Sequence, residues 1–338
     1  YRLRAALPAL ALRPNIENAV RSSPFVVIEG ATGSGKSTQI PAYLADLDIF
    51  ANKIVICTQP RTVSAVTLAC RVSAEWNADE GVHDNSIVGK RGVGYSVRGS
   101  TVAEKGYRII YMTESNLLSK LQADPEAALA GVGAVVLDEA HERSIQLDLL
   151  LGMLATRIKE SKKLELRLIV TSATIDTKLF ATYLDDCPVL SIPGRTFPVD
   201  IRYQPTPKTD EYVAASAAAA WKVHTTTKSG AGDILVFLPG QAEVEQAAAL
   251  FKMRLSRAKA GTVFNAQVLT LYGRQTREDQ AAVFVAPRKG TRKVVFSTNV
   301  AETGVTIDGI TTVIDSGVCR MAQFDTTRGI TELVTVSE

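Results

Sequence analysis

The sequence predicts an α/β protein of two domains, each a mainly parallel sheet flanked by helices. Three observations carry this expectation. Short runs rich in Val and Ile recur between longer helical patterns; most of the runs do not alternate with polar residues; and a stretch bearing two prolines and a glycine divides the runs into two sets. A strand buried on both faces reads as a continuous apolar run, and parallel strands need crossover connections, usually helices.

The first set of runs lies at residues 25–29, 54–58, 108–112, 134–137 and 168–171; the second at 234–238, 268–272, 293–297 and 312–314. Between them lies Ser191-Ile192-Pro193-Gly194-Arg195-Thr196-Phe197-Pro198, followed by an irregular piece at 204–209. The expected domains are therefore 1–195 and 196–338. Residues 318–324 and 330–336, around Thr327-Arg328-Gly329, read as a terminal hairpin.

A chain of 338 residues has room for about two domains. With 46% hydrophobic and 22% charged residues it is globular rather than disordered. The net charge of +3 is a weak basic bias, so any nucleic-acid surface must come from local placement of charge. Cys57, Cys70, Cys187 and Cys319 are scattered and form no C-x-x-C pair. No disulfide or zinc framework is expected, and the expected location is intracellular, in a reducing compartment. The alanines from Ala217 to Ala220 end at Trp221, far too short a stretch to span a bilayer, so no membrane partner is expected. No signal peptide is visible, and a first residue of Tyr1 reads as a cut edge rather than a native terminus.

Gly30-Ala31-Thr32-Gly33-Ser34-Gly35-Lys36-Ser37 is a complete phosphate-binding loop between an expected strand and a helix expected from Thr38. Gly30, Gly33 and Gly35 allow backbone N–H groups to point inward at phosphate oxygens, at the positive end of the helix. Lys36 is placed to reach the β and γ phosphates, and the Ser37 hydroxyl to coordinate Mg²⁺. Thr32, Ser34 and Thr38 complete the cradle. The motif marks a nucleotide but does not separate kinases, GTPases and motors.

Asp138-Glu139-Ala140-His141 ends another apolar run. Asp138 is suited to hold Mg²⁺ through water, and Glu139 to orient or deprotonate the attacking water, with the metal shared among Ser37, Asp138 and Glu139. An acidic pair alone also reads as a solvated strand end. Ser172-Ala173-Thr174, at the end of a further run, gives it weight, because ligands in open α/β sheets bind at strand carboxyl ends.

Further segments follow in order: Thr38-Gln39-Ile40-Pro41, Thr58-Gln59-Pro60-Arg61, Val93-Gly94-Tyr95-Ser96-Val97-Arg98, Thr113-Glu114-Ser115-Asn116-Leu117-Leu118 and Asp138-Glu139-Ala140-His141-Glu142-Arg143. The second half adds Gly194-Arg195-Thr196-Phe197-Pro198-Val199, Leu235-Val236-Phe237-Leu238-Pro239-Gly240 and Ser297-Thr298-Asn299-Val300-Ala301-Glu302-Thr303-Gly304-Val305-Thr306-Ile307-Asp308. Over nearly the whole chain these resemble the motifs of the DEAH/RHA family of superfamily 2 RNA helicases.

The resemblance implies two RecA-like domains, with ATP between them and RNA across both. It implies ATP (with other NTPs accepted) and Mg²⁺ as cofactors. The implied partner is single-stranded RNA bound without regard to sequence, together with ribonucleoprotein or activator proteins. Catalysis would fall to Lys36, Glu139, His141, Ser172 and Thr174, with Asp308 among the nucleotide contacts. His141 would link the acidic box to the other domain, packing being the other reading of a single histidine. Arg71 and Phe284 match the pair that holds the base, and a guanidinium and a phenyl ring stack on any purine. Phe284, beside Val283 and Val285, also reads as a core side chain. RNA contacts by position are Arg61, Thr113, Glu114, Gly240, Thr298 and Asn299. Lys90, Arg91 and Arg98 read equally as added attraction for RNA or as a solvated basic loop.

One family motif is missing. A glutamine followed by G-R-x-G-R is expected just after Val336, but the sequence stops at Glu338. Those arginines stabilise γ-phosphate charge, a contribution of about 10³–10⁵ in rate for arginine fingers. The expectation is a fragment of a longer protein, poorly active alone. The alternative is a helicase-like, weakly or non-catalytic subunit that scaffolds or assembles a ribonucleoprotein, and a DNA translocase on the same fold is a third reading. Gly304 stands where many relatives carry Ser.

Overall fold

The computed structural model describes residues 7–78, 92–103, 106–161, 165–173, 177–194, 197–204, 211–228, 231–258, 265–302, 304, 306–326 and 328–337. The chain divides into two compact units, Tyr1–Pro198 and Val199–Glu338, where the sequence places the boundary after residue 195.

The first unit opens with α1 (Pro8–Ala11) and α2 (Arg13–Ser22), then β1 (Phe25–Gly30), α3 (Lys36–Asp46), β2 (Ile54–Gln59) and α4 (Thr62–Ala78). A hairpin of β3 (Val93–Val97) and β4 (Ser100–Val102) precedes β5 (Ile109–Thr113), α5 (Glu114–Ala123), α6 (Pro125–Leu129) and β6 (Val132–Leu137). Next come α7 (Ile145–Glu160), β7 (Arg167–Ser172), α8 (Thr177–Tyr183) and β8 (Val189–Ile192). The sheet order is β4-β3-β5-β2-β6-β7-β1-β8, and every described pairing is parallel except β3 with β4.

Period-two geometry explains why the runs read as unbroken apolar sequence. Val26 and Ile28 of β1 join one core with Ile16, Ile40, Leu44 and Val72, from α2, α3 and α4. Phe25 and Val27 join the opposite core with Leu117, Leu147 and Leu154, from α5 and α7. Each fully buried side chain of this size contributes about 1.5–3 kcal/mol.

The second unit contains α9 (Tyr212–Thr226), β9 (Asp233–Phe237), α10 (Gln241–Arg257), β10 (Asn265–Leu271), α11 (Arg277–Ala282), β11 (Thr291–Ser297) and β12 (Ile310–Asp315). Its parallel sheet has the order β10-β11-β9-β12. One face packs on Val213, Ala217, Val244 and Phe251; the other on Leu271, Val283, Ala301 and Ile307. The terminal hairpin forms as expected, β13 (Val318–Asp325) paired antiparallel with β14 (Ile330–Ser337).

Three details depart from the sequence expectation. The helix after the phosphate loop begins at Lys36, not Thr38. Strand β12 does alternate, with Val313 exposed, and it lies at a sheet edge. Strands β3, β4 and β8 were not expected as strands; they are short and gather at the two sheet edges. No helix among the described residues is long and apolar enough to cross a membrane.

Candidate active site

The phosphate loop lies between the carboxyl end of β1 and the start of α3. The backbone is left-handed at Gly33 (φ +79°) and Gly35 (φ +96°), a conformation in which glycine alone is unstrained. Gly30 is required for space: a Cβ there would lie 2.9 Å from Ile192 Cβ and 3.0 Å from Ser34 Oγ. Gly194 crosses the loop more closely still, since its Cβ would be 2.4 Å from that of Ala31. Thr32 and Gly33 are exposed at the rim, Ser37 is half-buried, and Thr38 is buried with its hydroxyl donating to the Gly35 carbonyl.

Lys36 is buried at the foot of the loop, and its ammonium donates to the carbonyls of Gly30 and Ala31. Burial lowers its pKa, against the opposing charges of Asp138 and Glu139. The Ser34 hydroxyl is buried without a hydrogen-bond partner. An orphaned hydroxyl beside a buried cation and left-handed glycines suits a phosphate group.

Asp138 follows β6 and is fully buried. Its Oδ1 accepts from Thr171 Oγ1 at 2.5 Å and from the Glu139 N–H at 3.0 Å; its Oδ2 accepts from Gln59 Nε2 at 2.6 Å. Glu139 has a left-handed backbone (φ +54°), which costs a non-glycine residue about 1–2 kcal/mol. Burial, and then the neighbouring Asp138 charge, push its carboxyl up to about 7, with Lys36 opposing. His141 Nδ1 lies 3.4 Å from Glu139 Oε2, 3.5 Å from Ser172 Oγ and 3.4 Å from the Ala173 nitrogen. Thr174 lies outside the described residues, as do Lys90 and Arg91.

The expected RNA contacts of this unit sit at the same end of the sheet. Arg61 opens the turn into α4, and its charge acts on Glu139. Thr113 ends β5, and Glu114 starts α5; both are buried. One Glu114 oxygen accepts from the Ser144 hydroxyl, while the other has no partner, and burial raises the pKa of this carboxyl. Arg71, on α4, pairs with Glu75 at 3.1 Å, and Glu75 also accepts from Gln39 Nε2 of α3 at 3.0 Å. Arg98 is exposed at the β3–β4 turn.

In the second unit, Gly240 caps the start of α10, where a Cβ would lie 2.4 Å from the Arg320 guanidinium and 2.5 Å from Glu243 Oε2. Thr298 and Asn299 follow β11 and line an open cleft of about 760 Å³, with Tyr272, Arg274 and Arg320. The cleft lies at the carboxyl ends of β9, β10 and β11, within the second unit. Phe284 is half-buried against the core of Leu271 and Val295, so packing accounts for part of its surface. Asp308 is exposed, and its charge acts on Lys293. Lys293 is itself fully buried and donates to the carbonyls of Val283 (2.9 Å) and Val285 (3.3 Å), on either side of Phe284.

Sequence reasoning gave no role to Gln59, Thr171, Tyr111 or Lys293. Tyr111 donates to the Ser37 carbonyl at 2.8 Å, bracing the first turn of α3. Gln59, inside a quoted motif, and Thr171, beside one, sit at strand ends, which was the one available signal.

Fold and site together define a phosphate-loop, nucleotide-using protein with an acidic pair two strands from the loop. The chain matches the DEAD/DEAH box helicase family over residues 14–181 and the helicase conserved C-terminal domain over residues 217–330. It is similar to the crystal structure of the Escherichia coli DEAH/RHA helicase HrpB at 33% identity and a TM-score of 0.83, covering 98% of this chain and 40% of that one. A second structure, of the E. coli DExH-box NTPase HrpB, matches at 34% identity and a TM-score of 0.74, covering 98% and 38%. This chain belongs to the superfamily 2 helicases of the DEAD/DEAH type, and its two units are the RecA-like domains expected of them. It spans about 40% of the length of the solved structures it matches.

Proposed function

We propose that this chain is the motor core of an ATP-dependent RNA helicase of DEAH/RHA type, using ATP hydrolysis to translocate on or remodel RNA. The observation that carries the reading is the buried cluster of Lys36, Asp138 and Glu139 at the foot of an intact phosphate loop. Arg61, Thr113 and Glu114 stand at the same sheet end.

The residues present fit ATP and Mg²⁺. Oxygen donors from Ser37, Asp138 and Glu139 suit a hard cation, and the unpartnered buried Ser34 hydroxyl suits a phosphate oxygen. Bound Mg²⁺ would supply charge neutralisation on the phosphates. Lys36 would exchange its carbonyl partners for phosphate oxygens. Glu139 would take a proton from the attacking water, a step its raised pKa makes feasible near neutral pH. Arg71 and Phe284 would offer flat surfaces to the base. RNA phosphates would meet Arg61, Thr113 and Glu114 in one unit, and Gly240, Thr298 and Asn299 in the other. The scattered cysteines Cys57, Cys70, Cys187 and Cys319, with no C-x-x-C pair, fit a reducing, intracellular location, which belongs to the same proposal.

The test is steady-state ATPase of the full-length protein with and without single-stranded RNA. RNA should stimulate hydrolysis more than DNA of the same sequence does. Glu139→Gln should lower kcat by about 10²-fold or more while retaining binding of a fluorescent ATP analogue. A wild-type rate indifferent to RNA would sink the reading and favour a scaffolding role; stimulation by DNA alone would favour a DNA translocase.

A further inference from the structure

The phosphate loop and the acidic box account for the chemistry of the first unit, but not for the side chain that fixes the acidic box from the RNA side. Strand β2 pairs with β6 so that Thr58 lies opposite Leu137, which sets Gln59 beside Asp138. Gln59 is fully buried. Its Nε2 donates to Asp138 Oδ2 at 2.6 Å. Its Oε1 is buried and has no hydrogen-bond partner. A buried amide with one end committed and the other orphaned is unusual, because such a group costs about 1–3 kcal/mol unless something supplies the missing donor.

Two residues beyond Gln59, Arg61 begins the turn into α4, and the Ala65 N–H donates to the Arg61 carbonyl at 3.1 Å. Arg61 also acts electrostatically on Glu139. One short segment, 59–61, thus carries the amide that holds Asp138 and the cation assigned to RNA. On the other side of Asp138, the Thr171 hydroxyl comes from β7, a strand that carries none of the assigned RNA contacts.

We propose that Gln59 is a positioning residue that ties the metal-side carboxylate to the RNA-binding turn. Its N–H holds the orientation of Asp138, and its free carbonyl oxygen accepts a hydrogen from water held beside that carboxylate when the site is loaded. Displacement of the 59–61 turn by RNA is thereby transmitted to Asp138. The inference rests on the motor reading and assigns the route by which RNA reaches the hydrolysis site.

Gln59→Leu in the full-length protein keeps the bulk and removes both polar ends. Binding of a fluorescent ATP analogue, titrated with Mg²⁺, should need roughly tenfold more metal than wild type needs, the size expected for losing a hydrogen bond to a charged group. In saturating Mg²⁺, the KM for ATP should be little changed, the kcat with RNA should fall about tenfold, and the stimulation ratio should collapse toward one. RNA affinity without nucleotide and the melting temperature should stay near wild type. Gln59→Glu, which sets a second carboxylate against Asp138, should show the larger loss. Gln59→His, with a ring N–H in reach of Asp138, should restore part of it and stands in if the leucine variant does not fold. A foldable Gln59 variant with wild-type Mg²⁺ dependence and wild-type RNA stimulation would overturn the proposal. Absence of stimulation in the wild type would instead overturn the motor reading itself.

Discussion

A single methyl group at residue 194 would reach the phosphate loop. Its Cβ would stand 2.4 Å from Ala31 Cβ, a distance that backbone on both sides leaves no easy way to relieve. Gly194→Ala should therefore push the loop off its phosphate-binding shape and weaken nucleotide binding roughly tenfold or more, with a smaller effect on melting temperature. Fluorescence titration with an ATP analogue checks this, and unchanged affinity would show that the loop yields. Residues of the loop and the acidic box were legible because each motif is local: eight and four consecutive letters carry them. Gln59 was quoted within such a motif and its role still missed. Its bond to Asp138 depends on which residues β2 and β6 bring opposite each other, and register across strands is not written in either segment alone.

Strand β6 shows the same limit for an element. Its buried apolar letters announced it from residue 134, but the strand begins at Val132 and takes in Gly133. A Cβ there would lie 2.6 Å from Phe50 Cδ1 and 2.9 Å from Lys53 Cβ. Phe50 is among the largest fully buried side chains, so it has little room to move. Gly133→Ala should cost about 1–3 kcal/mol by overpacking, read as a lower denaturation midpoint with an unchanged slope. A neutral result would mean that the Phe50 ring can turn aside. The central strands β1, β2, β5, β6 and β7 were all legible, because burial on both faces leaves an apolar run with no alternation. Strands β3, β4 and β8 escaped notice: each is five residues or fewer, Gly94 and Ser96 interrupt the apolar letters of β3, and β8 leaves Val189 exposed.

For the whole molecule, the connection between the units is the exposed stretch. Phe197, Val199, Ile201 and Tyr203 are 81%, 79%, 68% and 93% exposed, in a segment without helix or strand. Chymotrypsin at low ratio should cleave after Phe197 or Tyr203 and leave two persistent fragments, each with its own core. Mass spectrometry of the first products checks this; protection of both aromatic residues would contradict it.

The order of the first sheet also sets a schedule. Strand β1, which carries the phosphate loop, is among the first elements in the chain, but its sheet neighbours among the described residues are β7 and β8. During synthesis at about 5–20 residues per second, β1 waits on the order of ten seconds before residue 167 is made. Until then a strand of Phe, Val and Ile has two unpaired edges. The nucleotide site therefore assembles almost last in its unit, and a nascent chain halted short of β7 would hold every letter of the phosphate loop and none of its shape.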